Sequence, residues 1–551
     1  MSTIGHDQPY ERVYSQFRWN IPDYYNIGVD ICDRHVASRG DVTAVLFEDE
    51  SGATRKYTFA EISEASNRFA NALAARGLGR EDRIAILLPQ IPEIGIAHAG
   101  IYKLGAIAVP LSNLFGPDAI EYRLHDSGAR AVITDAVGRE KLAEVRERLP
   151  QLELVYLVDG DAAPGEIDFR EELQRAIPRF TAVQTHANDP ALIIYTSGTT
   201  GPPKGVLHAH RALAGHFPGF ELSHSFFPQP GDLFWTPADW AWAGGLLDAL
   251  LPAWHYGYPV LAYKFAHKFD PERAFWLMDK HHVRNTFVPP TALKIMRQVP
   301  DPRGRYRVRL RTIMSAGESL GADTLAWGTE QLGITIDEMF GQTEANYIVG
   351  NCHELAAVKP GSMGRAYPGH RVSVVDEGGH VVPAGTVGEV AVHRDTPVMF
   401  LEYWNKPDAT RQKFGGDWML TGDLAVQDED GYLFFQGRRD DIIGSAGYRI
   451  GPTEVEECLL KHPAVALAGV VGTPDTLRGS VVKAYVQLAP GFSASEALKV
   501  DIQTHVRKRL AAYEYPRAIE FIDQIPLTTT GKIKRNELRQ RAEQPVEGGT
   551  P

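Results

Sequence analysis

Between residues 57 and 134 the chain switches repeatedly between two hydrophobic periods. Ile62, Ala65, Phe69 and Leu73 recur at helical spacing, and Gly77 follows as a residue able to end that helix. Arg83-Ile-Ala-Ile-Leu-Leu88 is instead a continuous apolar run of strand length. The pattern then predicts a helix over 94–104, a short strand at 106–109 and, beyond another helix, a strand at 131–134. Such alternation predicts βαβ units and a largely parallel sheet buried on both faces. Ala191-Leu-Ile-Ile194 reads as a further buried strand of that architecture, and Val206-Leu207 leads into a candidate helix. Strands are also expected at 308–314 and 334–339, running into Ser315-Ala-Gly-Glu-Ser319 and Phe340-Gly-Gln-Thr-Glu344.

Beyond Asp441 the pattern changes scale. Thr453 and Glu456 have the spacing of a capping box for a helix through Leu460. Strands at 465–471 and 481–488, a helix over 495–510 and a last strand at 520–522 complete a compact α+β unit of about 110 residues, an ordinary domain size. The tail from Gln544 is expected to be disordered.

Composition narrows the class. The 551 residues allow several domains, and 44% hydrophobic with 23% charged residues is ordinary for a globular chain. A formal charge of −12 argues against nucleic acid or an anionic membrane surface as the main partner. Cys32, Cys352 and Cys458 are far apart, so neither a disulfide framework nor a zinc site is indicated. With no signal-peptide pattern and no apolar run of membrane-spanning length, a cytoplasmic enzyme is the expectation. His208, His210 and His216 lack an acidic or Cys partner at ligand spacing and read as helix-face or loop histidines.

The candidate chemistry centres on Tyr195-Thr-Ser-Gly-Thr-Thr-Gly-Pro-Pro-Lys-Gly205. Three glycines, four hydroxyls and one Lys in eleven residues suit an anion: glycines let the backbone approach, hydroxyls and amides ring the oxygens, and Lys204 adds a charge. This is not the nucleotide P-loop, because Pro202-Pro203 follows the second glycine and Gly205 follows the lysine. Ligands gather where parallel strands end, so Gly317, Glu318, Thr343 and Glu344 are expected to face that loop. Phe234-Trp-Thr-Pro-Ala-Asp-Trp-Ala-Trp-Ala-Gly-Gly245 is either core or the wall of an apolar slot. Asp423 and Arg438 are a candidate ion pair, and Lys532 lies in a Gly-Thr loop.

Together these segments, with Gly437-Arg-Arg-Asp-Asp-Ile-Ile-Gly-Ser-Ala-Gly-Tyr-Arg-Ile-Gly451 and Pro526-Leu-Thr-Thr-Thr-Gly-Lys-Ile-Lys-Arg535, resemble the ordered motif set of the adenylate-forming superfamily: AMP-forming acyl-CoA synthetases, luciferases and peptide-synthetase adenylation domains. The likeness runs from about residue 40 to residue 540. One departure is Gly444, where many relatives carry Lys or Asn.

The resemblance implies an α/β fold with a large N-terminal domain, 1–439, of stacked, mostly parallel sheets flanked by helices. A small mobile α+β C-terminal domain, 440–551, would carry the catalytic lysine. It implies ATP, Mg²⁺ and CoA as cofactor and co-substrates. A carboxylic acid attacks the α-phosphate of ATP, and CoA then takes the acyl group from acyl-AMP. By position, Thr196, Ser197, Gly198, Thr199, Thr200, Gly201 and Lys204 resemble the phosphate cradle, and Glu344 the magnesium-linked carboxylate. Thr343 matches the position near the α-phosphate, with Gln342 beside it among the nucleotide-binding positions. Gly317, Glu318 and Phe435 match the adenine positions, and Asp423 with Arg438 those holding ribose. Lys532 matches the lysine bridging the attacking carboxylate and the α-phosphate. Asp440 resembles the hinge, Arg449 a catalytic position on the phosphate side, and Gly447 with Tyr448 the path of CoA.

The acyl pocket by the same likeness comprises Trp240, Trp242, Ala243, Gly244 and Gly341. Acetyl-specific members have Trp where Gly341 stands, and Val and Thr where Ala243 and Gly244 stand, so a deeper apolar slot is expected. Four extra methylenes in it are worth about 3 kcal/mol, on the order of 200-fold. Trp240, replacing a smaller residue, fills part of that space. The implied substrate is a short-to-medium-chain, branched or aromatic monocarboxylic acid. The alternatives are a free-standing adenylation enzyme loading a carrier protein and a non-catalytic nucleotide-binding protein. A homodimer is compatible with each.

Overall fold

The computed structural model describes residues 4, 8–196, 202–265, 269–445, 448–475, 479–510, 514–528 and 531–543. The helix Phe59–Ala75 shows how directly the local pattern acts. Thr58 Oγ1 accepts from the Glu61 N–H at 3.2 Å while the Glu61 carboxylate accepts from the Thr58 N–H at 2.7 Å, a reciprocal cap that satisfies two orphan donors. Ile62, Phe69 and Leu73 are completely buried beneath it. Helix Pro92–Lys103 is buried along nearly its whole length, which explains why its pattern is almost uniformly apolar.

Among the described residues the chain divides into two compact units: Met1–Val372 with Val392–Met419, and Ser373–Ala391 with Leu420–Pro551. Residues 420–439 thus pack with the C-terminal part.

Among the described residues the first unit holds two sheets. In one, the parallel strands Ile107–Leu111, Arg83–Leu87, Ala131–Thr134, Leu154–Leu157 and Ile167–Asp168 lie side by side. Pro190–Thr196 joins Ile107–Leu111 in parallel, and Lys204–Ala209 then pairs antiparallel with Pro190–Thr196. The segment after the Gly-Thr loop is therefore a strand, and the helix it leads into, Arg211–Ser223, begins two residues after the strand ends. An apolar run this short does not by itself distinguish strand from helix, and pairing with Pro190–Thr196 decides it. The loop accordingly joins two antiparallel strands, so no helix N-terminus stands at its exit.

The second sheet orders Asn285–Phe287, Thr312–Ala316 and Ile336–Gln342 in parallel, then turns back through Ala345–Gly350. These strands begin two to four residues later than the apolar pattern suggests, and so end on the motifs themselves.

In the second unit, Gly479–Leu488 is flanked by antiparallel Val465–Asp475 and parallel Ala518–Phe521, packed on Val455, Leu459, Ile502 and Val506. The helix Pro452–Leu460 lacks the expected capping box: Gly451 is its N-cap and makes no side-chain cap. Glu456 is buried, so its carboxylate takes stronger partners, the Val470 N–H at 2.8 Å and Arg535 at 2.5 Å. Arg535 also pairs with Asp441 at 3.3 Å, and Arg539 pairs with the same carboxylate. The helix Arg535–Glu543 is thereby tied to the segment around Asp440.

Candidate active site

A tyrosine that no sequence pattern singled out joins the two best candidates in the first unit. The strand Glu402–Tyr403 pairs with Lys204–Ala209, setting Tyr403 opposite Val206. Its ring lies under Lys204, with Nζ 4.9 Å from the centroid, and its hydroxyl donates to Glu344 Oε1. The Phe400 N–H donates to the Glu344 carbonyl at 2.9 Å, and the Trp404 N–H to the Gly205 carbonyl at 2.7 Å. One short strand thus stitches the Lys204 hairpin to the Thr343-Glu344 turn. Removing the hydroxyl while keeping the ring isolates this link. A hydrogen bond to a charged group is worth about 1.5–3 kcal/mol, so Tyr403→Phe is expected to lower kcat/KM for acid-dependent pyrophosphate release by roughly 10-fold or more. Unchanged steady-state rates in that variant would remove Tyr403 from the site.

The neighbouring turns are held by equally specific contacts. Thr196 Oγ1 donates to the Lys204 carbonyl at 3.5 Å; residues 197–201, which include Ser197, Gly198, Thr199, Thr200 and Gly201, lie outside the described residues. Gly317 stands at φ +100°, a left-handed turn that glycine adopts freely, directly after Thr312–Ala316. Glu318 Oε2 accepts from Thr291 Oγ1 at 3.0 Å, and Gln342 Oε1 accepts from Lys413 Nζ at 3.3 Å. Thr343 and Glu344 are half-buried, with the Thr343 backbone against the His208 ring. His208 lies on a strand and His216 on a helix. Burial pushes their pKa values down to about 3 and about 4, so both are neutral side chains of the interior.

The expected apolar slot takes a different form. A Cβ on Gly244 would stand 2.6 Å from Phe287 Cε1, so the Phe287 ring already occupies the space that the missing side chain leaves. A Cβ on Gly341 would stand 2.7 Å from Tyr347 N and 2.9 Å from Asn346 Oδ1, at a bulge where the strand register shifts between Phe340 and Gln342. Both glycines are close-packing positions, which corrects the reading of each as simple added depth. Trp240 is fully buried in the central core, and Ala243 is half-buried against the same core. Trp242 packs edge-on to Phe115 with centroids 5.5 Å apart, in a separate cluster with Tyr195 and Leu207.

In the second unit, Asp423 and Arg438 face each other across paired strands, Nη1 to Oδ1 at 3.2 Å, with Asp423 buried. Arg438 Nε also reaches Asp440 Oδ1 at 3.3 Å, so the candidate hinge residue is part of the same charged group. Phe435 lies on that strand opposite Ala425, half-buried. Backbones of Tyr448 and Arg449 pair with Ser445 and Gly444, and Gly447 lies outside the described residues. Lys532 is exposed on a tight turn: the Thr528 N–H donates to its carbonyl at 2.7 Å, its own N–H donates to Thr528 Oγ1 at 3.0 Å, and Gly531 stands at φ +89°.

The donor set suits magnesium bound largely through another ligand. Glu344 Oε1 is engaged by Tyr403, while Oε2 has no partner among the described residues. No group of three or more His, Cys, Asp or Glu able to hold a metal ion occurs among those residues. A single hard carboxylate oxygen completed by phosphates and water is how Mg²⁺ is usually held.

The AMP-binding enzyme family model matches residues 32–404, and the AMP-binding enzyme C-terminal domain model matches residues 454–532. Acyl-coenzyme A synthetase ACSM3, mitochondrial, of Rattus norvegicus is 34% identical over 545 residues, covering 97% of this chain and 93% of that protein. Acetyl-coenzyme A synthetase of Bacillus subtilis is 34% identical over 545 residues, covering 96% and 94%. Among solved structures, the anthranilate CoA ligase AuaEII in complex with anthranoyl-AMP superposes with a TM-score of 0.86 at 31% identity, covering 95% of this chain and 98% of that one.

Proposed function

The chain belongs to the AMP-binding enzyme family, as an adenylate-forming acyl-CoA synthetase and hence an AMP-forming carboxylate–CoA ligase, and from that premise we propose that it activates a short-to-medium-chain, branched or aromatic monocarboxylic acid. The carboxylate oxygen bonds to the α-phosphorus of ATP and pyrophosphate leaves; the CoA sulfur then bonds to the acyl carbon and AMP leaves. The observation that best supports assigning the phosphate chemistry to these residues is Tyr403, which brings Lys204 and Glu344 under one side chain. Lys204 and the hydroxyl-rich loop neutralise and orient the β- and γ-phosphates, which is most of what phosphoryl transfer asks of a protein. Glu344 would hold Mg²⁺, which when bound would spread the phosphate charge. Thr343, with Gln342 before it, lies at the α-phosphate. Gly317, Glu318 and Phe435 receive adenine, and Asp423 with Arg438 receives ribose.

Lys532 brings the attacking carboxylate and the α-phosphate together in the first half-reaction. Residues 440–551 move as a domain about Asp440 between the two halves, Arg449 leaves the phosphate side, and Gly447 and Tyr448 serve CoA. For the acid, Trp240 and the Phe287 ring beside Gly244 set an upper limit on length. No helix among the described residues is long and apolar enough to cross a membrane, and the proposed location is the cytoplasm.

A panel from acetate to decanoate with benzoate-type acids, read as CoA-dependent AMP release, tests the reading. The maximum of kcat/KM is expected above acetate and below decanoate; a maximum at acetate refutes the pocket assignment. Release only with a holo-carrier protein would favour the carrier-loading alternative, and absence of pyrophosphate with every acid the non-catalytic one.

A further inference from the structure

Beneath Gly341 lies a group of polar side chains that phosphate chemistry does not use. Asp248, Asn346 and His216 are 2%, 6% and 1% exposed. Asn346 Nδ2 donates to Asp248 Oδ1 at 2.5 Å and to His216 Nε2 at 3.2 Å, so both amide hydrogens are spent. His216 Nδ1 stands 2.7 Å from the Ala212 carbonyl, which places the ring proton on Nδ1 and leaves Nε2 to accept. Two oxygens remain, Asp248 Oδ2 and Asn346 Oδ1, and neither has a hydrogen-bond partner among the described residues. Asn346 Oδ1 is 2.9 Å from where a Gly341 side chain would start. Asp248 follows Gly244 by four residues, about one helical turn further along the segment through Ala243–Gly245 and Leu246–Leu250.

Burial raises the Asp248 carboxyl well above the usual carboxylate range, against the opposing hydrogen bond from Asn346. Asp248 Oδ1 is taken by the Asn346 amide, so Oδ2 is the oxygen of this acid left to pair, together with Oδ1 of Asn346. Two unspent oxygens, one on a carboxyl and one on an amide, suit a hydroxyl group, which can donate to either and accept from the acid when it is protonated.

We propose that Asp248 and Asn346 form a hydrogen-bonding floor to the acyl site, and that the preferred acid carries a hydroxyl group on the part of its skeleton remote from the carboxylate. The inference rests on the assignment above of residues 240–244 and Gly341 to the acyl pocket. A hydrocarbon acid leaves both groups unpaired, and a discrimination of roughly 10- to 100-fold is expected.

The test is kcat/KM for AMP release on matched pairs: straight-chain acids against their ω-hydroxy counterparts, and benzoate against each ring-hydroxylated isomer. At least one hydroxy acid is expected to exceed its parent about 10-fold. Asn346→Leu and Asp248→Leu are each expected to bring that ratio to one or below, whereas Asp248→Asn, which still offers a donor, keeps it above one. Should Asp248→Leu not fold, as judged by thermal unfolding, Asn346→Leu and Asp248→Asn decide. Turnover in which every parent acid surpasses its hydroxy counterpart, or a ratio that survives Asn346→Leu, overturns this inference while leaving the ligase assignment standing. No AMP with any acid overturns both.

Discussion

Lys532→Ala is expected to lower acyl-adenylate formation by about 10²–10³-fold while leaving the conversion of supplied acyl-adenylate and CoA to thioester little changed. The reason is chemical. In the first half-reaction two anions, a carboxylate and a triphosphate, must approach until a bond forms, and a point charge between them acts mainly as the transition state develops. In the second, a thiolate attacks a mixed anhydride already activated by its AMP leaving group, and no second anion needs to be drawn to the α-phosphate. Because Lys532 is exposed on a turn closed by Thr528 and Gly531, the substitution is expected to leave folding undisturbed. Pyrophosphate release in a rapid-mixing assay reads the first step, and thioester formation from synthetic acyl-AMP the second. Equal loss in both steps would refute the division of labour.

Glu344→Gln should have the next largest effect, a fall of roughly 100-fold in pyrophosphate release together with a higher Mg²⁺ concentration for half-maximal rate. The amide oxygen still accepts the Tyr403 hydroxyl, so the turn keeps its tether, while the charge that would face the metal is gone. A structural role alone would leave the Mg²⁺ dependence where it was. The comparison with Tyr403→Phe separates the two contributions: that variant keeps the carboxylate charge and loosens its position, so its rate falls less and its Mg²⁺ dependence moves little.

The segments to which we assign the chemistry are continuous stretches of unusual composition, which is why they stand out without coordinates. Tyr195–Gly205 concentrates glycine and hydroxyls, 340–344 ends an apolar strand on polar groups, and 437–451 alternates charge with glycine. Tyr403, Lys413 and Thr291 carry no such signal. Each is a single side chain in an ordinary stretch, and its relevance comes from a partner 59, 71 or 27 positions away. The same distinction explains the failed capping box. Thr453-x-x-Glu456 has the right spacing, but Arg535 and the Val470 N–H offer the buried carboxylate more than a local cap does.

By itself the sequence determined the α/β architecture, the positions of several of the parallel strands within a few residues, and the family motifs. All of these depend on local periodicity, on glycine where the backbone must bend, and on runs of residues adjacent in the chain. Tertiary structure alone decided that Lys204–Ala209 closes a hairpin, that Phe287 fills the space beside Gly244, and that Asn346 and Asp248 lie together under Gly341. These are matters of which distant side chain occupies a given volume or satisfies a given buried polar atom. That choice is made by close packing across the whole chain, and no stretch of residues encodes it locally.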